Sequence, residues 1–154
     1  MNTSSDAEGG RPGLPLPTVL VVDVANVMGS RPDGWWRDRA AAATRLVGQI
    51  AALRGRRVDD PDGRPILLSR LVTVVEGRAR GIPEPAGVEL IRAGADGDDA
   101  VFAACVELLA AGARPLAVTA DRQLRDRLPP GTAIAGPGWL LRLLESAEAT
   151  GPSE

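Results

Sequence analysis

Hydrophobic positions along the chain follow two rhythms. TVLVV at Thr18–Val22 and LVTVV at Leu71–Val75 are nearly unbroken apolar, β-branched runs that stop at polar residues, the pattern of strands covered on both faces. Shorter runs at Val88–Ile91, Pro115–Thr119 and Thr132–Ala135 predict three more strands. Elsewhere the spacing changes to three and four residues. Trp36, Ala40, Ala43, Val47, Ile50 and Leu53 share one helical stripe, and helices are predicted over Trp36–Leu53, Asp98–Ala111, Arg122–Leu128 and Pro137–Ala147. Arg56–Leu67, with two prolines and a glycine, reads as a turn-rich connection. Strands separated by helices predict an α/β fold, a doubly wound, mostly parallel five-stranded sheet with helices on both faces.

The same pattern divides the chain into a flexible leader at 1–17, a single domain at 18–147 and a flexible tail at 148–154. The leader has neither the basic start nor the apolar stretch of a signal peptide, and no apolar run approaches bilayer length. A cytoplasmic location with no membrane partner is the expectation.

Composition narrows the chemistry. There is no histidine, which removes His-based triads, His-ligated zinc and imidazole acid–base catalysis. The single cysteine, Cys105, stands among Val101, Phe102, Leu108 and Leu109 and reads as a core residue. Hydrolysis would have to use carboxylates, through an oxygen-ligated divalent ion where a metal takes part. There is no GxGxxG or GxxxxGK pattern to support a dinucleotide fold or a P-loop.

The net charge of −2 hides an uneven distribution. Seven arginines (31, 37, 39, 45, 54, 56 and 57) stand against two acids, Asp33 and Asp38, in the segment 31–57. Such a face can grip phosphates, and it reads equally as an ordinary solvated helix surface. Arg31, Arg37 and Arg39, with Arg122 further on, are the candidate phosphate contacts. Trp36 lies on the apolar stripe and is expected in the core, as is Trp139; Trp35 falls off the stripe and is a candidate base-stacking residue.

The acids follow the strands. Asp23 ends the first, Glu76 the second; Asp96, Asp98 and Asp99 follow the third and Asp121 the fourth. In a parallel sheet these are carboxyl-end positions, where ligands bind near the reversal of strand order. Taken singly, Asp23, Asn26, Asp96, Asp98, Asp99 and Asp121 each read as a turn or helix cap as well as a site residue. Three acids within four residues repel one another, and a divalent cation offsets that repulsion. Asp98 shares a stripe with Val101, Phe102 and Cys105 and is expected to point toward the sheet, with Asp99 turned about 100° away.

Three motifs, VVDVAN with Asp23 and Asn26, GADGDDAV with Asp98 and Asp99, and VTADRQL with Asp121, resemble the PIN-like superfamily, specifically its NYN branch, which includes the bacterial YacP-type ribonucleases. VVEG, with Glu76, sits where that family often has a strand ending in Asp-Gly, and the resemblance spans about residues 18–145. It implies a doubly wound domain that gathers acids around one or two Mg²⁺ or Mn²⁺ ions and cuts RNA. On that resemblance Asp23, Asp98, Asp99 and Asp121 would be metal ligands and Asn26 a positioning neighbour; by their own positions at the same rim, Glu76, Asp96 and Thr119 are expected as outer members of the site. The chain departs from the family in its DVAN opening and in Glu for Asp at position 76. The leading expectation is a metal-dependent ribonuclease acting on single-stranded or structured RNA, with homo-oligomerisation open. The competing readings are a small-nucleotide phosphohydrolase and a noncatalytic nucleic-acid-binding or regulatory protein of the same fold.

Overall fold

The computed structural model describes residues 14–94 and 96–150, the last two by backbone alone. Residues 1–13 of the expected leader and 151–154 of the expected tail lie outside the described residues. Among those described, no helix is long and apolar enough to cross a membrane.

Strand β1, Leu16–Asp23, is the axis of the sheet, pairing in parallel with β3, Pro65–Val75, on one side and with β5, Pro115–Val118, on the other. Beyond β5 lies β6, Ala133–Ala135, again parallel. The far edge of β3 is shared: β2, Arg57–Asp59, runs antiparallel to its start, and β4, Glu89–Arg92, runs parallel to its end. The parallel strands thus stand in the order β4-β3-β1-β5-β6. From β1 the chain builds outward through β3 and β4, then returns to build on the other side through β5 and β6. Strand order reverses between β1 and β5, where an open parallel sheet leaves a crevice beyond its carboxyl ends.

Two cores follow from the period of two in β1. Leu20 and Val22 face one way, with α1 (Val24–Gly29), α2 (Arg39–Ala51) and α5 (Pro137–Thr150); Val19 and Val21 face the other, with α3 (Gly97–Ala110) and α4 (Arg122–Arg127). Cys105 is fully buried in the second core and Trp139 is buried in the first, as expected.

Three features differ from the sequence pattern. The sheet has six strands among the described residues, because Arg56–Leu67 contains a hairpin that joins β2 to an extended β3. Asp60 accepts from the Asp62 and Arg64 amides and Gly63 takes φ +86°, a turn whose polar residues and prolines conceal the short strands around it. VANVMG forms α1, too short to show a helical period, although Val24, Val27 and Met28 bury one face. The tryptophans exchange places. Asp38 accepts from the Ala41 amide at 3.0 Å and starts α2 there, leaving Trp35–Arg37 as a separate 3₁₀ turn. Trp36, expected in the core, is therefore 56% exposed, while Trp35 packs partly against the first core. Smaller shifts occur at the ends: β1 begins within the expected leader and α5 runs beyond residue 147.

This placement is checked by urea denaturation of two variants. Leu20→Ala, in the centre of β1, should lose about 2–5 kcal/mol. Trp36→Ala should stay within about 0.5 kcal/mol of wild type despite removing the larger side chain.

Candidate active site at the carboxyl edge of the sheet

Asp23 continues the parity of Val19 and Val21, so its carboxylate turns to the α3 side of the sheet. It is 5% exposed and has two partners, both across modest distances. Oδ1 accepts from the Asn26 amide at 3.3 Å, which caps α1, and Oδ2 accepts from the Thr119 hydroxyl at 3.2 Å. Thr119 directly follows β5, so this hydrogen bond spans the crevice between β1 and β5. Asn26 makes a second crossing: its Oδ1 accepts from the Ala120 amide at 2.8 Å. The VVDVAN segment is therefore a helix start whose cap is also tied to the neighbouring strand end.

The other acids approach from the flanking elements. Asp98, on the first turn of α3, is partly buried; Asp121 caps α4 by accepting from the Leu124 amide at 3.2 Å. The Asp121 amide in turn donates to the Thr119 hydroxyl oxygen at 3.1 Å. Burial pushes the Asp23 carboxyl up to about 6, partly offset by its two hydrogen bonds and reinforced by the charges of Asp98 and Glu76. The Asp98 carboxyl is likewise raised, first by burial and then by Asp121, Asp96 and Glu76. Five carboxylates from four segments, with Asp96 and Asp98 on one of them, thus share one electrostatic field.

The remaining acids are engaged locally. Asp96 caps α3, accepting from the Asp98 amide at 2.9 Å, and Asp99 is exposed and paired with Arg127 at 3.0 Å. Glu76 Oε1 accepts from the Gly97 amide at 3.0 Å, a carboxylate at the positive end of α3. A Cβ on Gly97 would lie 3.0 Å from that oxygen, so the glycine admits the close approach. This explains the GADGDD segment better than acidity alone.

In donor chemistry the cluster suits a hard divalent cation: every side-chain donor is an oxygen, and the Asp98 carboxylate accepts no hydrogen bond from the described residues. As the side chains lie, no three acids among the described residues stand close enough together to ring an ion.

The predicted basic residues divide. Arg31 donates to Gln49 Oε1 at 2.8 Å, which fastens it to α2. Arg37 and Arg39 lie over Trp36 and Trp35, at 5.9 and 5.4 Å from the ring centroids. Arg122 is exposed at the start of α4. The sequence pattern missed Arg78. Gly77, at φ +59°, turns the chain after β3 into a 3₁₀ turn, so that Arg78 joins Trp35 and Arg39 around a cavity of about 310 Å³. A wider opening of about 660 Å³ adjoins it, lined by Trp36, Arg37, Arg39 and Arg78. An Arg after a strand-ending Glu-Gly is the only sequence signal for it.

No protein-family model matches the chain, and no curated protein matches it in sequence. Among solved structures it is similar in fold to Rae1 (YacP) from Bacillus subtilis, with a TM-score of 0.67 and 17% identity over 86% of this chain and 76% of that one. A mutant of the same Bacillus subtilis protein, with one tryptophan replaced by leucine, gives a TM-score of 0.65 and 16% identity over 86% and 78% of the two chains. At these identities the likeness establishes a shared α/β architecture.

The raised Asp23 carboxyl has a consequence for stability. Folding favours its protonated form, so its contribution is fully present below the ordinary carboxyl value of 3.8 and is lost as pH rises from there through about 6. In chelator, Asp23→Asn should gain stability relative to wild type across that interval, by on the order of 3 kcal/mol at most, and level off above it. Denaturant titrations at stepped pH measure the difference; a pH-independent offset would contradict the burial of a titrating carboxyl.

Proposed function

We propose that the protein is a metal-dependent ribonuclease whose centre is the acidic crevice between β1 and β5. The observation that carries this reading is the buried Asp23 carboxyl at the reversal of strand order, raised in proton affinity with the charges of Asp98 and Glu76 adding to the rise, while Asp121 acts in the same way on Asp98. Carboxylates that repel one another in a partly desolvated crevice are poised to take up a divalent cation. The motif resemblance and the fold shared with Rae1 (YacP) support the same assignment.

Asp23, Asp98 and Asp121 would hold Mg²⁺ or Mn²⁺, with Asp99 joining once released from Arg127. Such an ion, when bound, supplies an activated water near neutral pH and offsets charge on the phosphodiester. The chain's own residues do the rest. Thr119 and the Asn26 amide fix the orientation of Asp23, while the Asn26 side chain locks α1 to the loop before α4. Glu76, held on the α3 amide, adds negative charge to the field without leaving its cap. Arg39 and Arg78 on one side and Arg122 on the other would attract the phosphate backbone. The spacing of the acids favours one further reading, an RNA-binding protein that shares the fold and has no turnover.

A labelled single-stranded RNA distinguishes these. Wild type should cleave it with Mn²⁺ or Mg²⁺, stop in chelator, and release little phosphate from free nucleotides. Asp23→Asn and Asp98→Asn should fold normally and lose activity by at least about 100-fold, because an amide replaces an anionic ligand. Equal cleavage by wild type and Asp23→Asn would remove this site from the chemistry. Binding without metal-dependent cleavage would select the noncatalytic reading, and nucleotide hydrolysis alone the phosphohydrolase.

A further inference from the structure

The cavity of about 310 Å³ lies between α1 and the turn after β3, with Glu76 in its lining. Its floor is Val24, Met28, Val75 and Ala79, all buried core residues, and Trp35, Arg39 and Arg78 stand around it. Val24 directly follows Asp23 and Val75 directly precedes Glu76, so the cavity opens at the ends of β1 and β3 and shares the end of β1 with the acidic crevice. Their directions differ by one step of strand parity: Val75 faces the first core, whereas Glu76 reaches α3.

An open cavity with an apolar floor and two guanidinium groups beside it, its one carboxylate, Glu76, engaged by the Gly97 amide, suits a flat, largely apolar group that carries a negative charge beside it. A nucleobase with its flanking phosphate has that character, and Trp and Arg are the side chains on which unpaired bases stack. The adjoining opening sets Trp36, Arg37, Arg39 and Arg78 around it together with Asp38, whose carboxylate caps α2, giving a second aromatic surface beyond the shared guanidinium groups.

We propose that the 310 Å³ cavity is a nucleobase pocket for the nucleotide adjacent to the phosphate held at the acids, which requires the substrate to be unpaired at that position. The pocket rests on the ribonuclease reading for its place in the reaction, but its occupancy is measurable without turnover. A base paired in a duplex would have to leave its stack to enter. With no polar side chain in the floor, the pocket takes bases by surface area rather than by hydrogen-bond pattern, and purines should bind more tightly than pyrimidines.

The test is fluorescence anisotropy in chelator with a labelled twelve-residue RNA of mixed sequence, free and paired with its complement. The single strand should bind about tenfold more tightly than the duplex, the scale expected for the stacking of one base. Adenosine 5′-monophosphate should compete, and ribose 5-phosphate should compete at least about tenfold less well. Ala25→Leu places extra carbons in the cavity from the half-buried side of α1 and should weaken single-strand binding to the level of the duplex. Equal affinity for the duplex, equal competition by ribose 5-phosphate, or a folded Ala25→Leu that binds as wild type would each overturn the pocket. The competition arm decides the matter on wild type if Ala25→Leu does not fold. The expected binding pattern without cleavage would remove the nuclease reading alone; cleavage without the pattern would remove the pocket alone.

Discussion

A carboxylate at the end of the central strand is the constraint around which the carboxyl edge is organised. Asp23 ends a strand whose preceding residues are almost wholly buried, and it retains two hydrogen-bond donors, one from its own helix and one from the neighbouring strand end. Neither carries a positive charge. The group is therefore held where its ionised form is under-compensated, and the charges of Asp98 and Glu76 worsen the imbalance. Exchanging Asp23 for an apolar residue would ease that cost and sever the Thr119 contact across the crevice. The local arrangement trades stability for a concentration of negative field.

The two sides of the sheet edge have opposite electrical character because of one alternation. Odd-numbered positions of β1 lead to the acids beside α3; the helix that follows, together with the Gly77 turn after β3, leads to the guanidinium groups of Arg39 and Arg78. A single polyanionic strand laid over the edge would meet guanidinium groups on the α2 side and carboxylates on the α3 side.

Much of this was legible in the sequence. Unbroken β-branched runs identified the buried parallel strands, and the polar residues just after them marked the carboxyl edge, because a strand covered on both faces can admit charge only where it ends. The positions that escaped are those where local hydrogen bonding overrides periodicity. Asp38 restarts the helical phase and exchanges the roles of Trp35 and Trp36, and the Asp60 turn conceals two antiparallel segments within a polar stretch. Glu76 illustrates a further limit: its partner, the Gly97 amide, lies 21 residues away and has no side-chain signature beyond the glycine. Asp99 was expected to stand with Asp98, and its pairing with Arg127 depends on how α3 and α4 pack, which spacing alone does not fix.

The doubled pairing along β3 bears on how this sheet avoids recruiting other chains. A long strand left open on one side would offer a continuous row of amide and carbonyl groups to any extended peptide, the template from which intermolecular β-structure grows. Here β2 covers the first part in one direction and β4 the last part in the other, so the outer border consists of two short pieces of opposite polarity. At the other border β6 spans three residues. An incoming strand could match the hydrogen-bond phase of one piece only, and neither border provides the uninterrupted length on which fibrils nucleate.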